Sequence, residues 1–325
     1  MLRFGLIGAG AIAHAFSKAC QGSGIPLQAV ASRKLEKARE YQQMYGFISA
    51  YGDYESLYQD PLVDAIYVAT PHGLHYEQML AILKHKKHIL CEKAFTLNAK
   101  QAKHIFELAK AQGVFVMEAM WTRFLPLTQT VLNRIQSGVI GDVVSMKVDF
   151  AFGGNPADEA RLMNPALGGG ALLDVGIYPI TYANLVLGKP DKIDAKAKLT
   201  HTGVDGTVDL TYHYPHQVAH LHASVIEEGG KDAWIYGSKG SIKVPFFWGA
   251  HEAFIYDLNH QVIEHIDLPH KVNGYEFEIL GFIEAVENQS YRTPWMNVEN
   301  TLEILAQMDE IRQHIGVIYP NEDTL

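Results

Sequence analysis

The chain has 325 residues, 48% of them hydrophobic and 19% charged, with a formal net charge of −9. That length exceeds one ordinary core and predicts two domains. The acidic balance, without any run of lysine and arginine, excludes a nucleic-acid or anionic-membrane surface and leaves a small molecule as the expected partner. Cys20 and Cys91, the only cysteines, sit in apolar contexts on separate predicted elements. They supply neither a disulfide framework nor a Cys-based zinc site, which fits a reducing cytoplasm. The opening run MLRFGLIGAG breaks into glycines too early for a signal-peptide core or a membrane span.

From Leu2 to Ile7 the chain predicts a short apolar strand, followed by Gly8-Ala9-Gly10-Ala11-Ile12-Ala13 and a helix from Ile12 to about Gly22. This is G-x-G-x-x-A between a strand and a helix. Gly8 permits the tight turn, Gly10 lets backbone approach a pyrophosphate, and the small Ala13 allows close packing where the helix N-terminus faces the phosphates. Gly8, Gly10, Ala11 and Ile12 are therefore candidate cofactor contacts. The same rhythm continues with strands at 27–31, 65–69, 88–91 and 114–117 and helices at 35–45, 75–85 and 99–111, which predicts a doubly wound parallel sheet.

Ligands gather at the carboxyl ends of such strands. Ser32-Arg33 closes the second strand where an NAD-specific domain places an acidic residue; arginine there suits a 2'-phosphate, with Ser32 as a donor, unless Arg33 is only a solvated loop residue. NADP is thus the expected cofactor, with NAD also open. Glu92 and Lys93 lie just past another strand end and face the cleft, where a charge is useful.

After Trp121 the pattern changes. A helix at 126–137 precedes strands at 143–152, 192–199, 207–214, 218–225, 233–236, 241–244 and 253–258, several alternating polar with apolar residues as in a half-exposed antiparallel sheet. Helices at 275–288 and 298–314 follow. The expected organisation is a Rossmann domain at 1–122 and an α+β substrate-binding and oligomerisation domain at 123–325 with a large open sheet. The last helix, about 298–315, is able to pack back on the first domain. Within the second part, Asp174, Tyr178 and Tyr182 recur every four residues after Gly168-Gly169-Gly170, which puts acid and phenol on one helix face. The plainer alternative is a helix start with Asp174 near its cap and tyrosines packed at a seam. The chain's 16 histidines include His72-x-x-His75 and the group His213, His216, His220 and His222. Neither group carries the further ligands of a zinc motif, and no metal is expected.

GLIGAGAIA, TPHGLH at 70–75, CEKAF at 91–95, MEAMWTRFLP at 117–126 and GGGALLDVGIYP at 168–179 together resemble the Gfo/Idh/MocA oxidoreductases over nearly the whole chain. The tyrosine in DVGIY is similar to the branch of dimeric dihydrodiol dehydrogenases and NADP-dependent D-xylose dehydrogenases. The resemblance implies hydride transfer at a hydroxyl-bearing carbon of a sugar or cyclic trans-diol. By that likeness Lys93 and Tyr178 are catalytic, while Thr70, His72, His75 and Glu92 line the cofactor side. It also implies a homodimer. The sequence departs from the family pattern at Ala94, usually a proline that forms a cis bond, and at His72, where asparagine is common.

Alcohol oxidation requires a proton acceptor near neutral pH, and a nearby lysine favours a phenolate. Asp174 is a candidate to orient a substrate hydroxyl, and Trp121 and Arg123 are candidates to wall the substrate pocket. Two other readings stay open: a dinucleotide or sugar sensor without catalysis, and an aldose or anhydrosugar reductase of the same superfamily.

Overall fold

The computed structural model describes residues 2–154, 160–320 and 322–323. Among the described residues, one compact unit comprises the chain up to Trp121 together with His270–Leu302; a second comprises Thr122–Pro269 and the residues from Glu303 to Asp323.

In the first unit, β1 (Phe4–Ile7), β2 (Leu27–Ala31), β3 (Ser49–Tyr51), β4 (Ala65–Val68), β5 (His88–Glu92) and β6 (Val116–Ala119) form a six-stranded sheet of order β3-β2-β1-β4-β5-β6. All pairings are parallel. The apolar runs FGLI, LQAVA and AIYV are wholly buried, as strands covered on both faces must be. The connecting helices are α1 (Ala11–Ser23), α2 (Leu35–Tyr45), α3 (Tyr54–Tyr58), α4 (His72–Lys84) and α5 (Ala99–Gln112). Helices α1, α2 and α5 end on Gly24, Gly46 and Gly113 in the left-handed region. Asn98 caps α5 by accepting from the Gln101 N–H at 2.8 Å.

The short β3 and α3 were not apparent in the sequence pattern, since three-residue and five-residue elements carry too little periodicity. Asp53 nevertheless marks α3, accepting from the Ser56 N–H at 2.7 Å.

A division of the chain at residue 122 leaves 270–302 in the second domain, whereas the structure groups that segment with the first. The cause is apolar. In helix α8 (Tyr275–Glu287), Phe282 meets Phe4 of β1 at 5.9 Å and Phe115 at 5.2 Å between ring centroids. Asn273 adds a side-chain bond of 2.9 Å to the Ala15 carbonyl.

The second unit is built on an eight-stranded sheet of order β14-β13-β12-β11-β7-β10-β9-β8. Its strands are β7 (Val143–Ala151), β8 (Lys192–Leu199), β9 (Asp205–His213), β10 (Val218–Ser224), β11 (Asp232–Gly237), β12 (Gly240–Pro245), β13 (Glu252–Asp257) and β14 (Val262–Asp267). Every pairing is antiparallel except β7 with β10. One face buries Met146, Val148, Leu210, Leu221, Ile235 and Ile255, and α7 (Ile177–Leu187) packs against β7 and β10. The other face carries Lys147, Trp234, Tyr236 and Tyr256, none of them buried. Helix α6 (Pro126–Gln136) starts on Pro126, and α9 (Val298–Ile315), the last helix among the described residues, is grouped with this unit from Glu303 on.

Residues 165–187 are long and apolar enough to cross a bilayer by length and composition, but this stretch is mostly buried within the protein.

Candidate active site

In the first unit, Gly8 has φ +88°, and a Cβ built on it would sit 2.6 Å from the Ala69 carbonyl oxygen, so no side chain fits the turn. Gly10 differs. A Cβ there would meet nothing within 4 Å, which leaves open space in front of α1. The helix start has no side-chain cap and no acidic residue in its first turn, so its N–H groups and partial positive charge point to that space. Gly10 and Ala11 are exposed and Ile12 half-buried. Tyr41 of α2 supports the loop, its hydroxyl donating to the Gly10 carbonyl at 2.8 Å, and its ring stacks on His14 at 4.5 Å. At the end of β2, Ser32 is buried and Arg33 exposed. An anionic dinucleotide fits this arrangement: a turn only glycine permits, an uncapped helix start, and a cation one strand away.

Thr70 and Pro71 form the β4–α4 turn, with Pro71 at the N-cap position, and His72 and His75 lie in the first turn of α4, which begins at His72, three residues earlier than the sequence pattern suggested. His75 is fully buried. Its Nδ1 lies 3.0 Å from the Ala94 carbonyl oxygen and its Nε2 2.7 Å from that of Thr70, so the ring clamps this turn to the segment after β5. Burial lowers its pKa, and the carbonyl oxygens of Thr70, Ala94 and Phe95 oppose that shift. A neutral ring donates to only one of the two oxygens it faces.

The Glu92–Phe95 segment is held from several directions. Glu92 is buried at the end of β5, accepts from the Tyr67 hydroxyl, and receives the Lys93 N–H at 3.2 Å. Glu118 of β6 accepts from the Phe95 N–H at 3.1 Å. The Lys93–Ala94 peptide bond is cis. Lys93 itself is half-buried. Trp121 is buried and stacks on Tyr275 with ring centroids 4.3 Å apart. Glu118, Tyr67 and Tyr41 escaped sequence reasoning because each reads as one more polar residue in a strand or helix.

A cavity of about 230 Å³ in this unit lies elsewhere, at the outer edge of β6, lined by Phe106, Met117, Tyr291, Met296 and Thr301 among others. It contains none of the residues singled out by sequence.

In the second unit, Asp174 does not cap a helix. It lies within a π-helical turn, Leu172–Gly176, that runs directly into α7, so Asp174 and Tyr178 depart from regular α-helical spacing. Arg161 meets Asp174 in an ion pair of 2.9 Å, with the Asp174 side chain 12% exposed and that of Arg161 37%. Tyr178 is buried at the start of α7. Its ring lies 5.6 Å from that of Phe150, which stacks on Trp248 at 3.6 Å. Phe150 and Trp248 thus form a ring group with Tyr178, and Arg161 pairs with Asp174, although their separation in sequence hid these partners. Arg123 is also buried, and its carbonyl accepts from Gln129 Nε2 at 2.7 Å.

The histidines of the open sheet have cross-strand partners. His213 pairs with Asp194 and His222 with Asp209, each at 2.7 Å, and His220 faces Thr211 at 3.4 Å. Among the described residues, no group of three or more His, Cys, Asp or Glu is placed to hold a metal ion.

The glycine turn and uncapped helix start on a parallel sheet define a Rossmann-type dinucleotide-binding domain, with Lys93 just past one of its strand ends. Comparison with known proteins narrows it. Residues 2–120 match the Gfo/Idh/MocA oxidoreductase family, NAD-binding Rossmann fold, and residues 128–243 match the GFO/IDH/MocA C-terminal domain. The chain belongs to the Gfo/Idh/MocA family. The trans-1,2-dihydrobenzene-1,2-diol dehydrogenase of Mus musculus is 31% identical over 338 residues, and that of Homo sapiens 30% over 333, in both cases across 99% of each chain. Among solved structures, a 3-ketoreductase from Actinomadura kijaniata in complex with NADP and TDP-benzene superposes with a TM-score of 0.88 at 25% identity, covering 97% of this chain and 98% of that one. The aldose-aldose oxidoreductase of Caulobacter crescentus shares the fold, with a TM-score of 0.85 at 21% identity over 96% and 97% of the two chains.

Proposed function

We propose that this protein is an NADP-dependent dehydrogenase acting on a hydroxyl-bearing carbon of a sugar or cyclic trans-diol, with Tyr178 as the acid/base group and Lys93 tuning it. The observation that supports the reading is that Lys93, just past β5, and Tyr178, at the start of α7, are both present in a chain that is 31% identical to a diol dehydrogenase over 99% of each chain. A sensor without catalysis would be free to lose either.

When bound, the nicotinamide supplies the carbon that gives or takes hydride. The protein's part is to place the dinucleotide through Gly8, Gly10, Ala11 and Ile12, to receive a 2'-phosphate at Ser32 and Arg33, and to move a proton at the Tyr178 oxygen. The cation of Lys93 favours the phenolate. Thr70, His72, His75 and Glu92 shape the nicotinamide side, and His75 keeps the lysine segment in place. Asp174, held by Arg161, orients a substrate hydroxyl, and Trp121 and Arg123 bound the substrate. The aromatic rings of Phe150 and Trp248 suit the apolar face of a sugar or diol ring.

The sheet face bearing Lys147, Trp234, Tyr236 and Tyr256 supports a homodimer, because a broad half-apolar face is stabilised by pairing with its own copy. Two free, buried cysteines are compatible with a cytoplasmic setting.

The test is a screen of aldopentoses, aldohexoses and cyclic trans-diols with NADP+ and NAD+, read by absorbance of the reduced cofactor. Turnover of a polyol with NADP+ is expected. No turnover of any of them favours the sensor.

A further inference from the structure

Three carboxyl groups lie buried behind the lysine segment of the first unit. Glu92 ends β5, Glu118 lies on β6 and Glu278 on the first turn of α8, with exposures of 5%, 1% and 0%. Glu92 and Glu118 each receive donors, from the Tyr67 hydroxyl and Lys93 N–H in one case and the Phe95 N–H in the other. Glu278 receives none: among the described residues neither of its oxygens has a hydrogen-bond partner. Tyr67 on β4, Cys91 on β5 and Tyr275 on α8 are further titratable groups coupled to this cluster, and Lys93 follows Glu92 directly in the chain. From α1, which packs on α8, Phe16 stacks on Tyr67 at 3.8 Å between centroids, and Cys20 is buried. An ionised carboxylate without a donor in such surroundings is among the most costly groups to bury, whereas a neutral acid is tolerated.

We propose that Glu278 is a neutral carboxylic acid in the folded protein and acts as a positioning residue for the Glu92–Phe95 segment. Its proton leaves the cluster with two negative charges instead of three, so Glu92 and Glu118 stay on the Lys93 and Phe95 N–H groups without repulsion from a third carboxylate. Burial raises the pKa of Glu278 well above the carboxylate range, and the charges of Glu92 and Glu118 raise it further. The functional value of that positioning rests on the role given to Lys93 above. The protonation itself does not.

The experiment compares the full-length protein with Glu278→Gln, which keeps the shape and cannot ionise. Infrared spectra at pH 7.5 are expected to show the carbonyl stretch of a protonated carboxyl group in the wild type that the variant lacks; loss of a carboxylate band instead overturns the proposal. Melting temperature against pH supplies a second reading. A carboxyl group whose folded pKa is raised gives stability that is complete below the unfolded pKa and is lost as pH rises to the folded one. The melting temperature of Glu278→Gln relative to wild type is therefore expected to climb steadily from pH 5 to pH 8, and a difference independent of pH contradicts the assignment. If Glu278→Gln does not fold, Glu278→Met serves the same comparison. A wild-type acid band and a sloping profile, found with no turnover of any polyol, leave the Glu278 assignment standing while the proposed function fails.

Discussion

Glu118 on β6 holds Phe95, two residues beyond Lys93, by a hydrogen bond of 3.1 Å from the Phe95 N–H to a carboxylate that is almost wholly buried. The lysine's backbone is thus fixed from a neighbouring strand. Glu118→Ala removes the Glu118 acceptor of that N–H and is expected to destabilise the protein by about 1–3 kcal/mol, the cost of leaving a buried donor unpartnered. Turnover should fall more than NADP affinity does. Glu118→Gln keeps an acceptor and should recover most of the stability in chemical denaturation; equal losses in both variants would show that the bond does not matter.

Arg33 follows buried Ser32 at the end of β2 and is exposed, available to a 2'-phosphate. Arg33→Asp should weaken NADP binding by about one to two orders of magnitude, as expected for loss of a charge-assisted bond, while NAD binding changes little. Titration of both cofactors by fluorescence decides the point, and equal effects on the two would refute it.

Asp205 is fully buried beneath the π-helical turn and accepts from the Leu172 N–H at 2.6 Å. Burial pushes its pKa up to about 7, against the pull of the Leu172 N–H. The shift is upward, so the stability it supplies is complete below about pH 4 and is lost as pH rises to about 7. Asp205→Asn cannot ionise. Its stability relative to wild type should improve between pH 5 and pH 8 by about 1.4 kcal/mol for each pH unit below the folded pKa. A constant offset in urea melts across that range would contradict the assignment.

The parallel sheet was legible because its strands are uniformly apolar and its helices end on glycines, two signals that survive without any tertiary context. The glycine turn and the strand-end positions of Arg33 and Lys93 were legible for the same reason: βαβ order alone says where strands end. The residues that support them were not. Glu118 and Glu278 look like surface acids until β6 and α8 bring them behind β5, and Arg161 finds Asp174 only once the turn has formed. The placement of 270–302 with the first unit also depends on packing, since Phe282 carries no mark in the sequence of the core it joins.

Tyr236 is exposed on the open sheet, its ring 5.8 Å from Trp234. If this face pairs two copies, Tyr236→Glu should shift the mass measured by light scattering at micromolar concentration from dimer toward monomer, while melting temperature changes little. A wild-type monomer at that concentration would remove the dimer from the account.

Steady-state kinetics of Tyr178→Phe, Lys93→Met and the double variant, with the best substrate from the polyol screen, test the proposed chemistry most directly. Tyr178→Phe is expected to lower turnover by about two to four orders of magnitude with cofactor affinity nearly unchanged, the usual worth of a positioned acid or base. Lys93→Met should do comparable damage, and the double variant little more than either, because residues acting as one unit are strongly non-additive. A Tyr178→Phe enzyme with near-normal turnover, or a double variant that loses the product of the two single effects, would contradict the account.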